Sequence, residues 1–434
     1  MIVAADWVLP VSGPALRHGA VLTDETGRIA AVAPLADLAA LSPGEPVERF
    51  DGCVIIPGLV NAHTHLSLTV LGGLVDPMPM RPFLARVTCA IDAMTDSDFE
   101  ASTALGALEC LRNGVTCVGD IAYGQEPLTA CAALGLAGVF YVEVLGTAEE
   151  GLDALLTRRG FPRGPGACAR GRVRCGLSPH TPYTAGPRTL LACAAIARSS
   201  GASLAVHVAE SPAERELMLH GTGPLSAVAE RLAHGFEAPG TGSVAYLEGL
   251  GILGEVLAVH CANLEPGDPE RLAAAKGVAL CPRSNAYLAN GEPPAAALRG
   301  AGVRLALGTD SAASNWDLDL LEEARALRKL DPTLTAARLL EMVTVDGARV
   351  LGMDDVVGSL TPGLDADLAV LRVGDTDEPE AAVIAAGGRG RIVAVMAQGR
   401  WRVRDGRTVG DTSAIELAAA SAHAAAATAI SASA

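Results

Sequence analysis

Eight short apolar runs, each followed by a stretch of helical character, constrain the fold of this chain more than any other feature. The first begins at Val54, inside the apolar residues 53–60. The others are residues 115–121, 138–145, 172–177, 203–208, 256–260, 278–281 and 304–307. Runs of about four to eight apolar residues between turn signals read as buried strands, and strands alternating with helices read as a parallel sheet. Ser97-Asp98-Phe99-Glu100 reads as a capping box, and Asn113-Gly114 closes the helix it opens. Eight such units predict a closed (β/α)8 barrel of the TIM type. No Gly-x-Gly-x-x-Gly follows any of these runs, which argues against an open dinucleotide-binding sheet.

The two ends of the chain read differently. Residues 21–32 read as strand, turn, strand. Residues 392–395 and 400–403 flank a turn at Gln398-Gly399, and residues 367–373 are strand-like. These ends predict one small β domain assembled from residues 1–56 and 357–410, around a barrel of residues 57–356. Residues 411–434 are nearly all Ala and Ser without an apolar stripe, and are expected to be a frayed helix or a disordered tail. Residues 212–241 form a long connection that reads equally as a lid or as a surface insertion.

Charge and cysteine usage exclude several functions. The net charge is −16 and no Lys/Arg-rich run occurs, so nucleic-acid binding is not expected. The 10 cysteines are spread singly without a Cys-x-x-Cys pair, which fits buried thiols in a reducing compartment. No leader-like segment and no apolar run of membrane-spanning length stands out, so a cytoplasmic protein without membrane attachment is expected.

Of the 9 histidines, His63, His65, His180, His207 and His260 fall at the ends of predicted strands, as does Asp310. Strand C-termini form the active-site face of a β/α barrel. His63 and His65 are two apart, so a strand turns both imidazoles to one side, as half of a site for a metal such as zinc requires. Each residue also has an ordinary role open to it. His207 and His260 could be buried and satisfied, Asp310 could cap a helix, and Glu210 could do either that or shuttle protons. Their convergence on one face favours a shared site.

With these residues in view, the chain resembles a known family. His63-Thr64-His65 after Pro57-Gly58, His207-Val208-Ala209-Glu210, Val259-His260, Cys281-Pro282-Arg283-Ser284-Asn285 and Leu307-Gly308-Thr309-Asp310-Ser311 are similar, in this order, to the motifs of the amidohydrolase superfamily. The likeness is to its branch of mononuclear deaminases and chlorohydrolases. It implies a distorted (β/α)8 barrel with a β-sandwich from both termini. It also implies one divalent metal, most readily Zn2+, with Fe2+ or Mn2+ also suitable, held by His63, His65, His207 and Asp310. His260 would contact the activated water and Glu210 would shuttle protons. Asp310 would take the water's proton. Binuclear relatives use a lysine on the fourth strand. Here the lysines are Lys276 and Lys329 and His180 ends that strand, which fits a single metal.

The stretch Gly176-Leu177-Ser178-Pro179-His180-Thr181-Pro182-Tyr183-Thr184 resembles nucleoside-type members, with His180 near the sugar. Together with Gly119-Asp120-Ile121 and residues 140–145 and 221–225, it looks most like bacterial aminodeoxyfutalosine deaminases of menaquinone biosynthesis. That resemblance implies hydrolysis of 6-amino-6-deoxyfutalosine to futalosine and ammonia, with Arg283 as a candidate partner for the substrate's carboxylate. The other reading of Arg283 is a structural tie to a neighbouring carboxylate. Deamination of S-adenosylhomocysteine, methylthioadenosine or adenosine, hydrolysis of a cyclic amide or chlorotriazine, and a non-enzymatic scaffold are the alternatives. Homodimers are common among such relatives.

Overall fold

The computed structural model describes residues 1–124, 126–146, 149–162, 164, 166–168 and 171–432. Eight parallel strands form one sheet: β1 Leu59–Thr64, β2 Val115–Ala122, β3 Ala137–Val144, β4 Val173–Pro179, β5 Ser203–Val208, β6 Val256–His260, β7 Gly277–Leu280 and β8 Leu305–Leu307. Each pairs with the next in sequence order. The ring meets at β1 and β8 through a parallel bridge between Thr64 and Asp310. There the Asp310 N–H donates to the His63 carbonyl at 3.0 Å. Asn61 and Thr309 add a reciprocal pair: Asn61 Nδ2 donates to Thr309 Oγ1 at 2.8 Å, and Thr309 N donates to Asn61 Oδ1 at 3.1 Å.

This seam needs a glycine. A Cβ on Gly308 would lie 2.7 Å from the His63 Cβ and 2.8 Å from its backbone N and O. Gly308→Ala is therefore expected to push β8 off β1 and to move His63. Overpacking of this kind costs about 1–3 kcal/mol. A melting temperature lowered by several degrees together with weakened metal retention is the expected result; a variant with wild-type values for both would contradict this account of the seam.

The interior of the barrel is built from small side chains, as a chain with 3% aromatic residues dictates. Val60, Cys117, Ala205, Val259, Ala279 and Ala306 pack with Tyr141 inside the ring. Helix Val345–Leu351 plugs the end where the strands begin, with Val60 N donating to the Val343 carbonyl at 2.8 Å. The opposite end, where the strands finish, is left for polar groups.

A second sheet is made by both ends of the chain. Its order runs Arg407–Thr408, Arg400–Arg404, Ile392–Ala397, Leu368–Arg372, Val47–Pro57, Ile2–Val8, Gly19–Thr23, Ile29–Pro34. The expected hairpins are present as antiparallel pairs. The apolar run 53–60 does not belong wholly to the barrel, and the expected start of the first barrel strand at Val54 is corrected to Leu59. The chain changes sheets at Gly58, whose N–H donates to the Asp367 carbonyl, while that of Leu59 donates to Gly114. A Cβ at Gly58 would sit 2.1 Å from Thr116 Oγ1, so only glycine passes there.

Two further points concern helices. The capping box of helix Asp96–Arg112 is formed by Thr95 and Asp98, a correction of two residues from the expected one. Residues Ser413–Ala432 form a helix, one of the two expected alternatives for the tail. Its stripe is made of small residues: Ala419, Ala422, Ala426 and Ile430 are buried among Val87, Ala90 and Val70. His423 Nδ1 donates to the Val70 carbonyl at 2.7 Å. By length and a mean hydropathy of 1.2 this helix is apolar enough to cross a membrane, which the sequence reading had not recognised. Residues 212–241 include helices Pro212–His220 and Ser226–Leu232, whose Leu217, Met218 and Ala229 pack with Tyr183 in a small apolar cluster.

Candidate metal centre and active site

The strand ends bring the predicted residues together. His63 lies near the end of β1 and His65 one residue beyond it. His207 is in β5, His260 ends β6, and Asp310 follows β8 by three residues. All five are buried. His65 Nε2 lies 3.4 Å from His207 Nε2. His63 Nε2 and His65 Nε2 each lie 3.5 Å from Asp310 Oδ1.

These groups do not satisfy one another. His207 Nδ1 meets the His180 carbonyl at 2.9 Å, so it must carry the proton and Nε2 presents a lone pair. His63 Nε2 is buried without a hydrogen-bond partner. Burial pushes the His65 imidazole down to about 3, against the pull of Asp310, and holds His207 well below the usual histidine range. Neutral imidazoles are what a metal needs. Donors at about 2.0–2.1 Å from a tetrahedral metal are about 3.3–3.4 Å apart, close to the spacings found here. Three imidazoles and one carboxylate oxygen therefore fit a single divalent cation.

Asp310 is prepared on both oxygens. Oδ1 accepts from Ser311 N at 2.7 Å and faces the histidines, while Oδ2 accepts from Ser284 Oγ at 2.6 Å and Ser314 Oγ at 2.9 Å. Burial raises its carboxyl, but the nearby His63 and the other surrounding imidazoles more than offset this, so it stays ionised. Backbone strain collects at the same places. Ala209, His260, Cys261 and Asp310 have φ of 50°, 72°, 50° and 60°. Such left-handed geometry is costly for non-glycine residues and is kept where the surroundings fix it.

Glu210 faces the centre from the turn after β5. Its Oε1 accepts from Asn290 Nδ2 at 3.1 Å and lies 3.6 Å from His260 Nε2. Burial, then the Asp310 and Glu214 carboxylates, raise its carboxyl well above the usual range. It is thus a buried acid that keeps its proton to higher pH than an exposed carboxyl group does. Ser211, not Glu210, caps the following helix. His260 Nδ1 meets Asn285 Oδ1 at 3.1 Å, which turns Nε2 toward Glu210. Burial lowers both His260 and His180 to about 4.

His180 sits just past β4. Its carbonyl orients His207, its Nδ1 meets Thr184 Oγ1 at 2.9 Å, and its Nε2 lies 3.9 Å from Glu143. Arg283 lies elsewhere in its contacts. Its guanidinium donates to Asp317 at 2.6 Å, lies 3.8 Å from Glu323 and stacks over Trp316 at 5.6 Å. The structure thus places it with the carboxylates of the segment after β8.

Sequence reasoning missed the supports. Glu214 accepts from Ala209 N at 2.8 Å and Glu210 N at 2.7 Å, and so fixes the strained turn that carries Glu210. As a first-turn glutamate it has no signal in one sequence. Ser284 and Asn285 lay inside a quoted motif without a role, and Asn290 and Ser314 outside any.

Comparison with known proteins agrees with this geometry. The amidohydrolase family model matches residues 54–402. A 5-methylthioadenosine/S-adenosylhomocysteine deaminase from Desulforudis audaxviator is 32% identical over 426 residues, covering 94% of each chain. The zinc-bound crystal structure of an adenosine deaminase from Xanthomonas campestris superposes with a TM-score of 0.84 at 26% identity, over 98% of each chain. That of Helicobacter pylori aminofutalosine deaminase, in complex with methylthio-coformycin, gives 0.80 at 21% identity, over 92% of this chain and 99% of that one. The eight-stranded barrel, its flanking terminal sheet and the cluster of three histidines and an aspartate at the strand ends are those of a chain that belongs to the amidohydrolase family.

Proposed function

We propose that this protein is a metal-dependent aminohydrolase that removes the 6-amino group of an adenine nucleoside as ammonia. The observation that carries the reading is Glu210: an acid with a raised carboxyl, buried 3.6 Å from His260 beside three buried imidazoles and Asp310. A bound divalent metal, zinc by preference, supplies a water activated for attack at neutral pH. His63, His65, His207 and Asp310 hold it.

The chain's own groups do the rest. Glu210 donates its proton to the ring nitrogen beside the reacting carbon and draws electron density from that carbon. Asp310 Oδ1 accepts the proton released by the water. His260 Nε2 orients the attacking oxygen and stabilises the charge that develops on it. Asp310 passes the proton it took from the water to the amine, which leaves as ammonia, and the remaining hydroxyl proton returns to Glu210 as the ring carbonyl forms. His180, open on its Nε2 side, meets the nucleoside beyond the base.

We infer 6-amino-6-deoxyfutalosine as the substrate, and with it a role in menaquinone biosynthesis, on the support of the motif set. A second reading, 5-methylthioadenosine or S-adenosylhomocysteine, is favoured by the 32% identical relative and by the pairing of Arg283 with Asp317. Arg283→Met separates the roles of that arginine. As a carboxylate partner it raises KM for the carboxylated nucleoside at least tenfold more than for adenosine. The pairing with Asp317 and Glu323 predicts the other outcome, a similar loss on both. The free state of all ten cysteines fits action in the cytoplasm on a small-molecule substrate. Ammonia release from a panel of adenine nucleosides tests the reaction itself, and silence across the panel by metal-loaded protein would direct attention to cyclic amides and chlorotriazines.

A further inference from the structure

One buried carboxylate near the site has no part in the chemistry above. Along β3, Val139 and Tyr141 point into the barrel, while Phe140, Val142 and Val144 pack outward. Glu143 is the next residue of the inward row, one level above Tyr141, in register with Ser178 of β4. Its side chain is 5% exposed. Among the described residues its nearest titratable neighbour is His180, whose Nε2 lies 3.9 Å away, beyond hydrogen-bond distance.

A carboxylate in such a place is costly unless something donates to it. Among the described residues none supplies the donor. His180 has committed its Nδ1 to Thr184, and its ring packs on His207 with centroids 4.9 Å apart. Glu143 on β3 thus flanks His180 on the side away from β5 and its His207. With the reacting base at the metal, a nucleoside that reaches past His180 brings its sugar toward Glu143. Burial raises the Glu143 carboxyl to about 7, with Arg159 opposing.

We propose that Glu143 is a specificity-determining residue that, beside His180, accepts a hydrogen bond from a sugar hydroxyl of the bound nucleoside. The inference rests on the nucleoside reading of this site. It makes the enzyme a selector of ribosides, because a site built around a hydroxyl is left with an unmatched buried group when the hydroxyl is missing.

The test compares adenosine, 2′-deoxyadenosine and 3′-deoxyadenosine as substrates of the metal-loaded wild type, Glu143→Gln and Glu143→Ala, with melting temperature and metal content showing that each variant folds. The wild type is expected to prefer adenosine over at least one deoxynucleoside by tenfold or more in kcat/KM, chiefly through KM. Glu143→Ala is expected to erase that preference. Glu143→Gln, whose amide oxygen still accepts, is expected to keep part of it, and serves alone if the alanine variant does not fold. A wild type that treats all three alike would overturn the inference and leave the deaminase reading standing. So would a Glu143→Ala variant that loses activity on all three equally, which is the mark of a merely structural role. No turnover of any of the three, nor of any member of the wider nucleoside panel, would remove the nucleoside reading and this inference with it.

Discussion

Glu210→Gln is expected to lower kcat by about 100- to 10,000-fold, the range for loss of a general acid, while metal content stays at the wild-type level. Glutamine fills the same volume and can still accept from Asn290 Nδ2, which now reaches Oε1 at 3.1 Å. What it lacks is the proton. Because burial and the neighbouring carboxylates raise the Glu210 carboxyl, the donor form persists to higher pH than in an exposed glutamate and is lost as pH rises through that raised value. The wild-type activity should therefore fall on the alkaline side, and the residual activity of the variant should lack that limb. A loss smaller than tenfold, or one that tracks loss of metal, would remove Glu210 from proton transfer.

Asp310→Asn is the second large effect. Both hydrogen-bonding serines and the Ser311 N–H are arranged for a carboxylate with two acceptor oxygens. An amide turns one of them into a donor, toward either the serines or the imidazoles, and removes the negative charge that offsets the cation. Losing an outer partner of a metal ligand costs roughly 10- to 100-fold in affinity, and losing the ligand itself should cost more. After dialysis against a chelator, the wild type is expected to keep its metal and Asp310→Asn to lose it. Ser284→Ala should fall between them. Full metal retention by Asp310→Asn would show that the three histidines suffice and that this carboxylate serves another purpose.

The parts of the molecule that could be read from the sequence are those where local pattern and global role coincide. Strands β2 to β8 are short, apolar and bounded by turns, so their periodicity is visible in one chain. Histidines at their ends gain meaning only by convergence: His207 alone is ordinary, but with His63, His65 and Asp310 it becomes a site. Where two roles share one run of residues, the reading fails. Residues 53–60 look like a single strand, yet Gly58 divides them between two sheets, and that division depends on contacts with Asp367 and Gly114 far along the chain. The packed face of the C-terminal helix was missed because alanine carries so little apolar surface that its stripe is invisible until Ala419, Ala422 and Ala426 are seen packed. Glu214 was missed for the opposite reason: a glutamate in a first helical turn is the commonest of residues there. Its two bonds to the Ala209–Glu210 turn exist only in three dimensions.

The measurement that tests the central claim most directly is ammonia release by the zinc-loaded protein from 6-amino-6-deoxyfutalosine, S-adenosylhomocysteine, 5-methylthioadenosine and adenosine, compared by kcat/KM. The account predicts one ammonia and one 6-oxo nucleoside per substrate consumed, with at least one member of the panel strongly preferred. Protein that holds its metal in the site of His63, His65, His207 and Asp310 yet releases ammonia from none of them would contradict it.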